Sequence, residues 1–432
     1  MKITTSNDNI KSFGGLNFVS TEFDQLKFPS LIEKHLGKRP SQATFSYSDV
    51  MKNIWSVILS GGDCAEDIST NLKDELLQIE NLNVCSPDTL LGVQKSLTLD
   101  KEVHIGKSGS INDISKHAAL NSLNLDMQLS AKTLIPNHLY DFDFDHQFIP
   151  CEKYDSKKGY KMRDGYFPGV ATLGKQIVYI ENRNGNSNVK FKQAELLNDA
   201  APSGGQAYGL LKSRGLKIGR SRMDCGSFTK EIIDVVSKNS ETFYIRAQRC
   251  KELSNKVREV KEWESVRIGM FEVEVCSIEY TPFGGEKIYR YVVTRQKNNT
   301  GQTDIFFNDS FTYRAIITDD QVSTDKEVVE YYNQRGAAER IFDEMNNDFG
   351  WKKLPFSFLE ENTVYMLLTA MCRNFYLYFI NKISKKISFV KPYFRLKKFI
   401  FRFMTVPFKW IRRGRQKILK LYTEKPYHLL VE

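Results

Sequence analysis

Residues 139–147, LYDFDFDHQ, alternate aromatic and acidic side chains. At the two-residue period of a β-strand, Tyr140, Phe142 and Phe144 share one face and Asp141, Asp143 and Asp145 the other. The aromatic face needs an apolar layer against it, so the segment predicts a strand within a covered sheet. The acidic face is costly, because like charges on one strand face repel. It has two readings. It is a solvated edge that resists aggregation, or it lines a site where a hard divalent cation takes carboxylate oxygens.

Two further carboxylates occupy settings of interest. Asp224 closes a short predicted strand, KIGRSRMD, in which Arg220, Arg222 and Asp224 alternate onto one face. Cys225 and Gly226 then turn the chain, and Ser227 or Thr229 caps a helix carrying Ile232, Ile233 and Val236. Taken alone, Asp224 is equally an ordinary turn residue at a strand end. Glu339 lies in EVVEYYNQRGAAERIFDEM. In one continuous helix, at about 100° per residue, Tyr332, Arg335, Glu339 and Phe342 fall within a narrow arc. That predicts Glu339 facing inward beside an arginine and a tyrosine, where a lone carboxylate is expensive unless paired or metal-bound. An ordinary Glu–Arg surface pair is the alternative. An acid on a strand, an acid at a strand end and an acid on a helix together suggest a pocket for divalent metal ions. Such a pocket performs phosphoryl transfer on nucleic acid.

The charge distribution points to the same partner. The net charge of the 432 residues is +10, yet residues 373–432 hold 16 Lys/Arg against two acids, leaving the first 372 slightly acidic. Aromatic residues interleave with these cations in KPYFRLKKFIFRF and PFKWIRRGRQKILKLY. Cations that displace counterions and rings that stack on bases suit DNA. Arg395, Lys397, Lys398, Lys409, Arg412, Arg413 and Arg415 are therefore the expected DNA contacts. A membrane-surface helix and a plain solvated helix are the competing readings. The polar start, MKITTSNDN, has no signal-peptide core, and the apolar stretch 364–380 is broken by Arg373 and Asn374. These features predict no membrane span and a cytoplasmic protein. The seven cysteines show no paired metal-binding spacing, which argues against a zinc site or a disulfide frame.

Five regions are expected. Residues 1–135 read as a mostly helical, DNA-binding N-terminal region, with Tyr47 opening one helix and Ser86-Pro87 another. Residues 136–240 read as the first part of a catalytic α/β domain, including a hairpin around Gly174. Residues 241–318 read as a β-rich insertion, with a hairpin at Gly284-Gly285 and further strand signal at 304–307 and 313–318. Residues 319–385 carry the Glu helix, and 386–432 form a basic, aromatic tail.

With these residues in view, the chain resembles bacterial insertion-sequence transposases of the DDE type, in particular the insertion sequence thirteen-eighty group. The resemblance runs over nearly the whole length and is carried by DFDFDHQFIP, EKYDSKKGYKMRDGYFPGVATL, IENRNGNSN, SRMDCGSF and YYNQRGAAERIFDEM. The last holds a Tyr-x2-Arg-x3-Glu signature at Tyr332, Arg335 and Glu339. The resemblance implies a ribonuclease-H-like mixed sheet with helices, interrupted by the β-rich insertion. It implies a catalytic, metal-binding set of Asp145, Asp224 and Glu339 that holds two Mg²⁺ ions, with Mn²⁺ able to substitute. Arg335 would support the set by contacting phosphate bidentately, and Tyr332 by positioning DNA or the Glu339 side chain. The implied partners are double-stranded DNA, both terminal inverted repeats and target, and a second copy of the chain on that DNA. The implied setting is the bacterial nucleoid. The chain departs from the family pattern twice. Gln147 stands where Thr follows the first Asp, which leaves Asp143 open as the first ligand. Asn346 stands where the signature has Lys. A nuclease on the same fold without strand transfer, and an inactive DNA-binding relic, are the rival functions.

Overall fold

The computed structural model describes residues 1–431 except 6, 107–108, 199–205 and 298–309, so the strand signal at 304–307 lies outside the described residues. Eleven strands form one mixed sheet: β1 (Glu102–Ile105), β2 (Ile111–Lys116), β3 (Leu139–His146), β4 (Gly169–Leu173), β5 (Gln176–Arg183), β6 (Lys217–Met223), β7 (Thr242–Arg246), β8 (Glu264–Ile268), β9 (Phe271–Tyr280), β10 (Tyr289–Lys297) and β11 (Phe311–Thr318). Their spatial order is β1-β2-β5-β4-β3-β6-β7-β11-β10-β9-β8. At its centre, β4 runs antiparallel to both β5 and β3, while β3, β6 and β7 are mutually parallel. With helices packed on it, this is a mixed α/β architecture consistent with a ribonuclease-H-like fold.

The alternation in β3 has the predicted consequence. Phe142 and Phe144 are fully buried in an apolar cluster with Tyr208, Ile232 and Phe243. The hairpin of β4 and β5 turns at Gly174, whose φ of +57° suits glycine. The hairpin of β9 and β10 turns near Gly284, at φ +61°. Thr229 caps the helix at Lys230–Asn239 by accepting from the Ile232 amide. The described residues of 241–318 extend the main sheet rather than forming a sheet of their own. β7 pairs in parallel with β6, and β11 to β8 continue outward from it.

The N-terminal helices α1 (Gly15–Gln25), α2 (Phe28–Leu36) and α3 (Tyr47–Leu59) share one core with the long helix at Leu359–Lys386. The Trp55 ring of α3 stacks on Phe375 of that helix at 5.2 Å. The stretch 1–135 is not purely helical, since β1 and β2 form one edge of the main sheet.

The C-terminal stretch is not a tail. Phe399, Phe403, Phe408 and Tyr427 are buried in the core shared with the N-terminal helices, and a hairpin (Phe408–Arg413 with Gln416–Leu421) lies against them. These rings serve packing, not base stacking. Burying an aromatic side chain in a shared core yields far more apolar contact than leaving it beside solvated lysines. Among the described residues, no helix is long and apolar enough to cross a membrane.

Candidate active site

β3 and β6 run parallel, with Phe144 opposite Met223, so the next residues, Asp145 and Asp224, emerge together at the same end of the sheet. Asp224 is held there by its own turn, its Oδ1 accepting from the Gly226 amide at 2.9 Å. A Cβ on Gly226 would meet the Asp224 and Val189 side chains at 3.0 Å, so the turn is closely packed around that carboxylate. Asp145 accepts from its neighbour's amide, His146, at 2.9 Å, and its Oδ2 takes the Arg335 guanidinium at 2.6 Å.

The electrostatics are strained. Burial pushes the Asp145 carboxyl up to about 6, with the Asp224 charge adding to the shift and Arg335 opposing it. Two carboxylates thus converge where one cation, Arg335, faces them. Their hard oxygen donors fit a divalent ion of the Mg²⁺ class, which would supply the missing positive charge.

Asp143 has a different job. Arg222, opposite it on β6, grips both its oxygens at 2.7 Å, and both side chains are 6% exposed. Arg222 also donates to the Tyr331 carbonyl at 2.9 Å and stacks against the Tyr331 ring. Asp143 is therefore the anchor of a buried ion pair that ties two strands to a helix.

Glu339 is not where one continuous helix would put it. The helix at Asp325–Asn333 passes into a 3₁₀ turn at Gln334–Gly336 before the helix at Ala337–Asn347 begins. A 3₁₀ turn advances about 120° per residue, so the phase set by Tyr332 does not carry through to Glu339. Tyr332 is buried and donates to the Met223 carbonyl at 3.2 Å, pinning the first helix to the strand end beside Asp224. Glu339 is exposed on the first turn of the second helix, one turn before the buried Phe342. Phe342 and Ile341 close a small cavity with Asp143 and Asp145. Among the described residues, Asp145, Asp224 and Glu339 do not form a group of three with ligand atoms within 4.8 Å of one another. The one group that does is Asp63, Cys64 and Asp67, on the surface.

The family profile described as Transposase DDE domain group 1 matches residues 1–432, the whole chain. The chain belongs to this transposase family. No curated protein matches it. In this transposase the two departures from the signature meet, because Asn346 donates to the Gln147 side chain at 3.0 Å. Gln147 and Asn346 thus form a direct contact between the helix of Glu339 and the end of β3.

Behind the two aspartates lies a layer that the sequence did not disclose. His146, Glu181 and Arg183 are fully buried together, Glu181 accepting from Arg183 Nε at 3.1 Å and bonding to His146 Nε2 at the same distance. Burial works against the Glu181 charge, but Arg183 and His146 outweigh it and hold its pKa below the usual range. Arg183 also donates to the carbonyls of Asn188, Val189 and Phe191, and Val189 is the residue that confines Gly226. Glu181 and Arg183 sit in IENRNGNSN. That segment carried the resemblance, but no spacing rule marks a buried pair two residues apart.

The predicted DNA contacts divide. Arg395 is committed to Asp343 and to Asp348, the latter at 2.8 Å, and Lys409 to Asp8 at 2.9 Å. Lys397, Lys398, Arg412, Arg413 and Arg415 are exposed. The last three surround the hairpin tip at Gly414, φ +61°.

Proposed function

We propose that this protein is the transposase of an insertion sequence of the thirteen-eighty group, cutting DNA at terminal inverted repeats and joining it to a target. The observation that carries the reading is the placement of Asp145 and Asp224 at neighbouring parallel strand ends, with a single arginine against two carboxylates. In this reading Asp145 and Asp224 hold two Mg²⁺ ions, or Mn²⁺, and Glu339 completes the set from the first turn of its helix. Metal bound there would supply Lewis-acid activation of a water or of a DNA 3′-hydroxyl and charge stabilisation for the leaving oxygen. Arg335 keeps Asp145 compensated beforehand and turns to a DNA phosphate when the carboxylate is engaged, a bidentate role suited to a guanidinium. Tyr332 fixes the end of the helix at Asp325–Asn333 beside Asp224. The exposed cations Lys397, Lys398, Arg412, Arg413 and Arg415 hold duplex backbone, a second copy of the chain brings the two element ends together, and the protein works on the nucleoid.

The test is nicking of duplex DNA carrying the sequence that flanks this reading frame, in Mg²⁺. Asp224→Asn and Glu339→Gln should each abolish nicking and leave DNA binding nearly intact. Cleavage at the wild-type rate by either variant overturns the metal-site assignment. Nicking without joining would mark a nuclease.

A further inference from the structure

Nearly every arginine near the catalytic sheet has an acidic partner. Arg220 is paired with Asp141, Arg222 with Asp143, Arg290 with Asp325, Arg295 with Glu274 and Arg335 with Asp145. Arg246 and Arg314, like Arg267 on the outermost strand β8, break this pattern. Among the described residues neither the Arg246 nor the Arg314 side chain has a hydrogen-bond or ion-pair partner.

Their position is specific. Arg246 ends β7 opposite Ile316 of β11, and Arg314 lies two residues further along β11. The two are therefore diagonal neighbours on one face, about 7–8 Å apart at their Cα atoms. They border two hollows that meet at Arg246, Arg314 and Ala315. One, of about 440 Å³, runs past Thr294, Gln296 and Lys297 to Tyr332. The other, of about 400 Å³, reaches Cys225 and Arg249. Among the described residues no Asp or Glu lines either hollow, while Arg246, Arg249, Lys297 and Arg314 do. The inner ends lie at the signature tyrosine and at the residue after Asp224. Four cations with hydroxyl and amide donors between them suit phosphate oxygens. The spacing of the two arginines is comparable to that of successive phosphates along one strand.

We propose that Arg246 and Arg314 form a phosphate clamp that carries the DNA backbone away from the catalytic aspartates along β7 and β11. The clamp rests on the reading of the site as a DNA-cutting centre, and it places part of the DNA track on residues 241–318.

The test compares wild type with Arg246→Gln/Arg314→Gln by fluorescence anisotropy, using a 30-base-pair duplex of arbitrary sequence across a salt series without divalent metal. Each lost phosphate contact lowers the log–log salt slope by about 0.9. The double variant should therefore lose about 1.8 in slope, and Arg246→Lys/Arg314→Lys should keep most of it. Mn²⁺ binding, followed by electron paramagnetic resonance, should be unchanged in both. Arg314 is exposed, so Arg314→Gln alone gives a variant expected to fold, with a slope loss of about 0.9. A folded variant with the wild-type slope overturns the clamp and leaves the metal site standing. Failure of the wild type to bind duplex overturns both.

Discussion

Asp143 and Asp145 point to the same side of one strand, yet neutralising them should move stability in opposite directions. Asp143 and Arg222 form a two-pronged pair at 2.7 Å with both side chains 6% exposed. Removing one partner of such a pair leaves the other charge buried and uncompensated, at roughly 3–5 kcal/mol. Arginine cannot escape by losing its proton, so Asp143→Asn carries that full loss, a large share of the roughly 5–15 kcal/mol that holds a domain together. Arg222→Met should lose a similar amount. The double variant Asp143→Leu/Arg222→Met buries no charge and should be far more stable than the sum of the singles predicts. Burial raises the carboxyls of both aspartates, but Arg222 grips both oxygens of Asp143, whereas Asp145 has one guanidinium contact, feels the Asp224 charge beside it and is pushed up to about 6. The folded state therefore resists its ionisation. With the folded value above the unfolded one, the penalty is absent below about pH 4, grows as pH rises, and is complete above about pH 6, where it reaches roughly 3 kcal/mol. Its partner Arg335 is 19% exposed and can turn toward water. Asp145→Asn should therefore be more stable than wild type by about 1–3 kcal/mol at pH 8 without metal, and no more stable at pH 4. The assay is the guanidinium unfolding midpoint of the four variants at both pH values, in the presence of a chelator. An Asp143→Asn protein as stable as wild type, or an Asp145→Asn protein that loses as much as Asp143→Asn, would refute the assignment of one aspartate to structure and the other to the site.

Three further outcomes follow from the same geometry. Because a cation competes with the proton on Asp145, Mn²⁺ affinity should fall as pH is lowered through about 6, at most about tenfold per unit; calorimetric titration from pH 5 to 8 checks this, and Asp145→Asn should flatten the profile. Arg335→Ala removes the guanidinium that occupies Asp145, so Mn²⁺ affinity without DNA should rise roughly tenfold, the weight of a charged hydrogen bond of about 1.5 kcal/mol, while strand cleavage falls; lower Mn²⁺ affinity would show that Arg335 supports the metal set rather than competing with it. Changing Arg412, Arg413 and Arg415 to Gln at the exposed hairpin tip should leave circular dichroism intact and lower the duplex salt slope by up to about 2.7, whereas deleting residues 391–432 should unfold the protein, because Phe399, Phe403, Phe408 and Tyr427 leave its core with them.

Short-range pattern determined a good part of this protein. The two-residue alternation in 139–147 led to a strand with buried Phe142 and Phe144, and the caps at Ser86 and Thr229 and the turns at Gly174 and Gly284 followed from local chemistry. The same reading brought forward Asp145 and Asp224, which the fold sets at adjacent strand ends. What only the tertiary structure decided is which partner each side chain meets. Alternation placed Asp143 and Asp145 on equal terms, and the pairing of β3 with β6 separated them by setting Arg222 opposite one and Arg335 within reach of the other. Helical phase put Glu339 in line with Tyr332, and three residues of 3₁₀ turn broke that line. Composition marked the C-terminal aromatics as DNA contacts, but a core built from the long helix at Leu359–Lys386 and from helices more than 300 residues away in sequence covered them. Periodicity and capping depend on neighbours a few residues apart and are legible along the chain. Charge compensation and burial depend on contacts across the fold, which a single sequence does not specify.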